Sequence, residues 1–128
     1  MTDRDLINYA REAMANSYSP YSHFPVGAAI ECADGTVFTG CNIENAAFGS
    51  TLCAESVALA SAVAEGKRDF ARIAIISDGV NYTLPCGTCR QMLTEFSPAL
   101  EVLAVRADGR YVSYQLDKLM PSPFTYRA

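Results

Sequence analysis

Leu6, Ile7, Ala10 and Met14 recur at the spacing of one helical face, so the pattern predicts an amphipathic helix from about Asp3 to Ala15 with Thr2 as its cap. From Ser17 to Pro25 the chain reads Ser-Tyr-Ser-Pro-Tyr-Ser-His-Phe-Pro, which has no periodicity and predicts a loop. Val26 to Cys32 and Val37 to Gly40 flank Asp34-Gly35, a hairpin turn signal between two antiparallel strands. Asn42 to Thr51 is polar. It leads into Cys53 to Glu65, an Ala-rich stretch stopped by Gly66 and predicted as a buried helix. Ile73, Ile75 and Ile76 mark a strand over Arg72 to Ser77. Pro85 suits the N1 position of a helix over Cys86 to Phe96, which Pro98 closes. Glu101 to Arg106 is a further strand, returned through Ala107-Asp108-Gly109 to an antiparallel partner at Tyr111 to Tyr114. A tail with Pro121 and Pro123 runs from Leu116 to Ala128.

This order of elements predicts an α/β fold, a three-layer α/β/α sandwich with a mixed five-stranded sheet. With 128 residues and no repeat, low-complexity tract or linker, residues 1–128 are expected to form a single domain. A composition of 50% hydrophobic and 19% charged residues excludes intrinsic disorder. Ten Lys and Arg against 14 Asp and Glu give a net charge of -4 with no basic stripe, so no polynucleotide partner is expected. Apolar runs are short, and Thr2, Asp3, Arg4 and Asp5 stand where a signal peptide needs a basic end and an apolar run. The reading is a soluble, cytoplasmic protein without a membrane partner.

The cysteines narrow the chemistry. Cys32, Cys41, Cys53, Cys86 and Cys89 are odd in number, which argues against a disulfide framework and for metal binding or catalysis. His23 is the only histidine, so a metal site has to use thiolates or carboxylates almost alone. Cys86-Gly87-Thr88-Cys89 lies at a predicted helix start, where the helix dipole favours thiolates. Zinc, a redox dithiol and an inert buried pair all fit that spacing. Cys53 also starts a predicted helix, and with it three thiolates would fill three corners of a tetrahedral zinc, leaving the fourth open as in catalytic sites. Glu55, two residues on, could then take a proton from zinc-held water and pass it to a leaving group. A first-turn carboxylate that only favours the helix dipole fits the same spacing.

Cys53-Ala54-Glu55 followed by Pro85-Cys86-Gly87-Thr88-Cys89-Arg90-Gln91 resembles the zinc-dependent cytidine deaminases, small homotetrameric type, in the three-Cys form of their signature. Tyr18 to Ala29, Gly40 to Ala46 and Leu119 to Phe124 resemble other segments of that family, so the likeness spans nearly the whole chain. It implies hydrolytic deamination of cytidine and deoxycytidine by a zinc-activated water, in pyrimidine salvage, with one zinc per subunit and a homotetramer. By the same resemblance, Cys53, Cys86 and Cys89 hold zinc, Glu55 shuttles the proton and bonds ring N3, and the Ala54 backbone contacts the base. Asn42 and Glu44 match a ribose-binding pair, Phe24 an aromatic packed on the pyrimidine, and Phe124 one supplied by a neighbouring subunit.

The chain departs from the pattern at two places. Ser56 stands where relatives often carry Arg, so the thiolates' charge is expected to be balanced by the two helix N-termini and a Ser56 hydroxyl donated to a sulfur. Phe48 stands where many have Tyr, which removes a hydroxyl near the sugar site. Cys32 and Cys41 read as small buried hydrophobes and His23 as a loop residue. Two competing readings are a deaminase of a modified cytosine nucleoside such as blasticidin S, and a structural zinc module with Cys41 as fourth thiolate.

Overall fold

In the computed structural model, which describes residues 1–126, five strands form one sheet in the order β2-β1-β3-β4-β5. Arg127 and Ala128, which end the predicted tail and the predicted domain, lie outside the described residues. The strands are β1 (Val26–Cys32), β2 (Val37–Cys41), β3 (Phe70–Ser77), β4 (Glu101–Val105) and β5 (Tyr111–Gln115). Only the β3–β4 pair is parallel; β1 runs antiparallel to both its neighbours, as β5 does to β4. The sheet is therefore mixed, as expected.

Three helices sandwich it. In α1 (Asp3–Met14) a capping box satisfies both ends of the entry turn: Asp5 N–H donates to Thr2 Oγ1 at 3.1 Å, and Thr2 N–H to Asp5 Oδ2 at 3.0 Å. The face carrying Leu6, Ile7 and Ala10 packs on Ala29, Ala74, Ile76, Leu103 and Val105. On the opposite face, α2 (Ala54–Ala64) and α3 (Gly87–Thr94) bury Ala58, Leu59 and Leu93 against Ala28, Ile30, Ile73, Ile75 and Val102. Alternate residues of β3 thus enter different cores, which is why a strand buried on both faces reads as an unbroken apolar run. Gly66 ends α2 as predicted: at φ 90° it lets Lys67 N–H reach Ala62 O and Gly66 N–H reach Val63 O, both at 3.0 Å.

Two features depart from expectation. Pro85 is not the first helical residue of α3, because Cys86, in extended backbone at φ -68° and ψ 167°, is the N-cap. Proline sits one residue earlier, where its fixed φ straightens the approach rather than starting the turn. The tail also contains a short helix, α4 (Leu116–Leu119), anchored by buried Leu116. Among the described residues no helix is long and apolar enough to cross a membrane.

Topology selects one edge of the sheet for chemistry. Because β1 is antiparallel to both β2 and β3, its first residues, Val26 and Gly27, lie beside Ser77, which ends β3, and Cys41, which ends β2. The loops 15–25, 42–53 and 78–86 consequently meet at that edge, and the last two deliver the N-termini of α2 and α3 there.

Candidate active site

Cys53 is the N-cap of α2 and Cys86 the N-cap of α3, with Cys89 in the first turn of α3. Their three sulfurs lie within 4.8 Å of one another, Cys53 and Cys86 being 3.8 Å apart. Zinc held by thiolates at about 2.3 Å in tetrahedral geometry sets the sulfurs about 3.8 Å apart, so the donor set fits zinc in both chemistry and spacing. Cys41 is not part of this cluster, which removes the fourth thiolate a structural zinc module would need. It is half-buried at the end of β2, with its thiol pushed up by burial, while Cys32 is buried in the core as expected.

Three sulfurs this close share protons. Cys53 is driven toward thiolate, to about 6, chiefly by the neighbouring Cys89 thiol, with Cys86 adding to the effect against burial. Cys89, beside the Cys53 sulfur and buried, is pushed up in turn. Two helix N-termini supply positive potential around them. Ser56 does not add to it. Its hydroxyl donates to the Cys53 carbonyl at 2.8 Å, not to a sulfur, because a serine in the first helical turn finds a backbone acceptor three residues back before it can reach a metal ligand.

Glu55, in the first turn of α2, is only 5% exposed. Burial pushes its carboxyl up to about 7, and the Cys53 thiolate adds to the rise, while N–H groups of Glu55 and Cys86 oppose it. An exposed carboxylate serving only the helix dipole would show none of this. A carboxyl that titrates near neutrality beside a metal-ligand cluster is able to accept and return a proton.

The cluster opens on a cavity of about 270 Å³ lined by Cys53, Ala54, Glu55 and Cys86 at one end and by Phe24, Asn42 and Glu44 at the other. Asn42, 8% exposed, is held by loop 15–25 and the start of β1: Oδ1 accepts from Val26 N–H at 2.9 Å and from the Ser17 hydroxyl, and Nδ2 donates to Phe24 O at 2.8 Å. That network fixes which end of the amide is which and leaves one Nδ2–H uncommitted. The Glu44 carboxylate accepts from Tyr21 N–H at 2.9 Å, Ser22 N–H at 3.0 Å and the Ser22 hydroxyl, and these donors, Ser22 foremost, hold it below the usual carboxylate range. Loop 17–25, including His23 at φ 57°, therefore works as scaffold for the polar end of the cavity.

Of the residues singled out from sequence, seven line the cavity and Cys89 sits behind it, buried. Phe124 is elsewhere: it does not line the cavity of its own chain, and the residue is 74% exposed. Sequence reasoning missed Ser22 and Val26, beside Phe24, and Thr51, Leu52, Thr83 and Leu84, which complete the walls. The last four had position as their only signal, in the two loops that feed the helix N-termini.

Residues 1–105 match the cytidine and deoxycytidylate deaminase zinc-binding region. The cytidine deaminase of Halalkalibacterium halodurans is 43% identical over 121 residues, covering 94% of this chain and 92% of that one. That of Sporosarcina psychrophila is 40% identical over 121 residues, covering 94% and 89%. The crystal structure of cytidine deaminase from Burkholderia pseudomallei superposes with a TM-score of 0.94 at 43% identity, covering 97% of this chain and all of the other. With the three-thiolate cluster and the buried carboxyl in place, this chain belongs to the zinc-dependent cytidine and deoxycytidylate deaminase family.

Proposed function

We propose that the protein deaminates free cytidine and deoxycytidine to uridine and deoxyuridine, as a cytoplasmic enzyme of pyrimidine salvage. The observation that carries this reading is Glu55, buried beside three convergent thiolates at the floor of a cavity whose far end offers an amide and a carboxylate. Cys53, Cys86 and Cys89 would hold zinc, which when bound supplies a Lewis acid that makes water nucleophilic at neutral pH. Glu55 takes the proton that water gives up as its oxygen bonds to C4, and places it on ring N3. It then takes the remaining proton from the new C4 hydroxyl and hands it to the exocyclic amine, which leaves as ammonia as the C4–N bond breaks and the C4 oxygen becomes the carbonyl of uridine. Phe24 packs its face on the pyrimidine, and the Ala54 backbone fixes the polar edge of the base.

Asn42 and Glu44 hold the sugar in this reading, the spare Nδ2–H donating to a hydroxyl oxygen and the carboxylate accepting the hydroxyl proton. Glu44→Gln is expected to raise KM about tenfold or more, the worth of a hydrogen bond to a charged group, with kcat little changed. Because Ser22 and Tyr21 hold Glu44 below the usual carboxylate range, its contribution is present above that range and is lost only as pH falls through its depressed value. The KM ratio of wild type to Glu44→Gln should therefore stay constant down to about pH 5; a ratio that collapses between pH 6 and 5 rejects an ionised Glu44 as the sugar ligand.

Exposed Leu52 and Leu84 line the cavity, and exposed Tyr21 and Phe48 line an adjoining depression that shares Ser22, Glu44 and Thr51 with it, together an apolar border suited to burial against other copies. A homotetramer, with Phe124 reaching a neighbour's cavity, accounts for both that border and the outward ring. Sedimentation is expected to give a tetramer at micromolar concentration, and an active monomer there would refute it. The reaction itself is tested by ammonia release from cytidine, deoxycytidine, cytosine, adenosine and blasticidin S. Turnover of the first two and not of the others is expected; preference for blasticidin S would overturn the assignment.

A further inference from the structure

We infer that Gln91 is a positioning residue, whose carboxamide aims Phe124 away from its own chain so that the ring can enter the cavity of another copy. This rests on the reading that Phe124 crosses between subunits. The segment that carries the ring has little else to hold it. After α4, Met120 N–H closes on Leu116 O at 2.9 Å, and Arg90 Nη1 donates to Leu119 O at 3.0 Å. Beyond that point Pro121 and Pro123 have no N–H to offer, and Ser122 turns the chain at φ 55°.

Among the described residues, the hydrogen bonds that tie 121–126 to the rest of the chain are two, both between Gln91 and Phe124. Gln91 Nε2 donates to Phe124 O at 3.0 Å, and Phe124 N–H donates to Gln91 Oε1 at 3.2 Å. One amide thus grips the backbone on both sides of the Phe124 Cα, as a neighbouring strand would, and so fixes the direction of the Cα–Cβ bond. Phe124 so held is 74% exposed, a costly arrangement for an aromatic residue with no external surface to meet. Gln91 stands two residues after Cys89 on α3, so the ring is referenced to the same helix that presents two of the three thiolates. Any contact between subunits through Phe124 is therefore registered to the metal-ligand helix through one side chain. Without that grip the ring is still present but its ordering has to be supplied at the moment of binding, which weakens substrate binding and leaves the chemical step alone.

The test is a double-mutant cycle on the full-length assembly, with KM and kcat for cytidine, zinc content and sedimentation read for each variant. Phe124→Ala is expected to raise KM about fivefold, the size of a lost aromatic stacking contact. Gln91→Ala should raise KM by most of that factor with kcat within about twofold, and zinc content and assembly unchanged; Gln91→Glu, which keeps the acceptor and loses the donor, should fall between it and wild type. The double variant should be no worse than Phe124→Ala alone, because Gln91 acts only through the ring. A wild-type KM for Gln91→Ala beside a raised one for Phe124→Ala overturns the role of Gln91 and leaves the crossing ring intact. A double variant whose KM rises by the product of the two single effects also overturns it. If Phe124→Ala itself leaves KM unchanged, the crossing ring is refuted and the role of Gln91 falls with it.

Discussion

Glu55→Gln is expected to cut kcat by about a hundredfold to ten-thousandfold while the protein keeps its fold and its zinc. The substitution exchanges a carboxyl for an amide of the same shape at a position only 5% exposed, so packing on α2 changes little. The amide still bonds the groups around it but has no proton to take or return. The environment of Glu55 shows why the loss should be large. Burial and the Cys53 thiolate both favour the neutral acid, bringing it up to about 7, where the driving forces for accepting and for donating a proton are nearly balanced. Neither Gln nor the more exposed Glu44 on the far side of the cavity can substitute, since Glu44 is held ionised by Ser22 and Tyr21. The measurement is ammonia release per zinc-loaded, folded subunit; retention of a tenth of wild-type turnover would reject Glu55 as the proton carrier.

Much of this arrangement was legible because its signals are local. Thr2, Gly66 and the Asp34-Gly35 pair act within a turn of their own positions, and all three do in the fold what their residue types predict. The thiolate cluster was legible for the same reason: each cysteine stands at a helix start, and helix starts were readable from the Ala-rich run and from Pro85. What was not legible depended on distant partners. Leu116–Leu119 is too short to show a period, and what anchors it, Leu116 buried in the core with its N–H on Leu100 O at 2.8 Å, comes from residues distant in sequence. The resemblance marks Asn42 as a sugar ligand, but the hold of its Oδ1 and one Nδ2–H on Val26 and Phe24 rests on residues that only the β1–β2 pairing brings near. Ser56 was read toward the metal from its neighbours in sequence, whereas helix geometry turns its hydroxyl back to Cys53 O. The direction of Phe124 depended on Gln91, 33 residues away.

Gly40→Ala should damage the active site from behind it. Gly40 lies in β2, paired with Ala28, on the face that α2 covers. A Cβ there would come within 2.5 Å of Ala54 O and of Ala58 N, and 2.9 Å of the Val57 Cβ. Two of these are backbone atoms of the helix, so no rotamer change relieves the contact, and restoring an ordinary 3.4 Å separation means moving α2 outward by most of an ångström. The end that must move carries Cys53 and Glu55, while Cys86 and Cys89 stay with α3. Metal–sulfur distances tolerate only about 0.2 Å, and a misplacement of about 1 Å among reacting groups can cost about a hundredfold in rate. The variant is therefore expected to lose about 3 kcal/mol of stability, the upper part of the usual overpacking range, and about a hundredfold in kcat, with faster zinc loss to a chelator. Gly27→Ala is the control for stability alone. Its Cβ would meet Ala10 O and Met14 N of α1, on the opposite face of the sheet, at 2.1 and 2.6 Å. It should unfold at least as easily, yet its folded fraction should retain zinc and turn over normally, because the helix it displaces carries no ligand. Wild-type zinc retention and kcat in folded Gly40→Ala would show that the close approach of β2 to α2 does not set the geometry of the site.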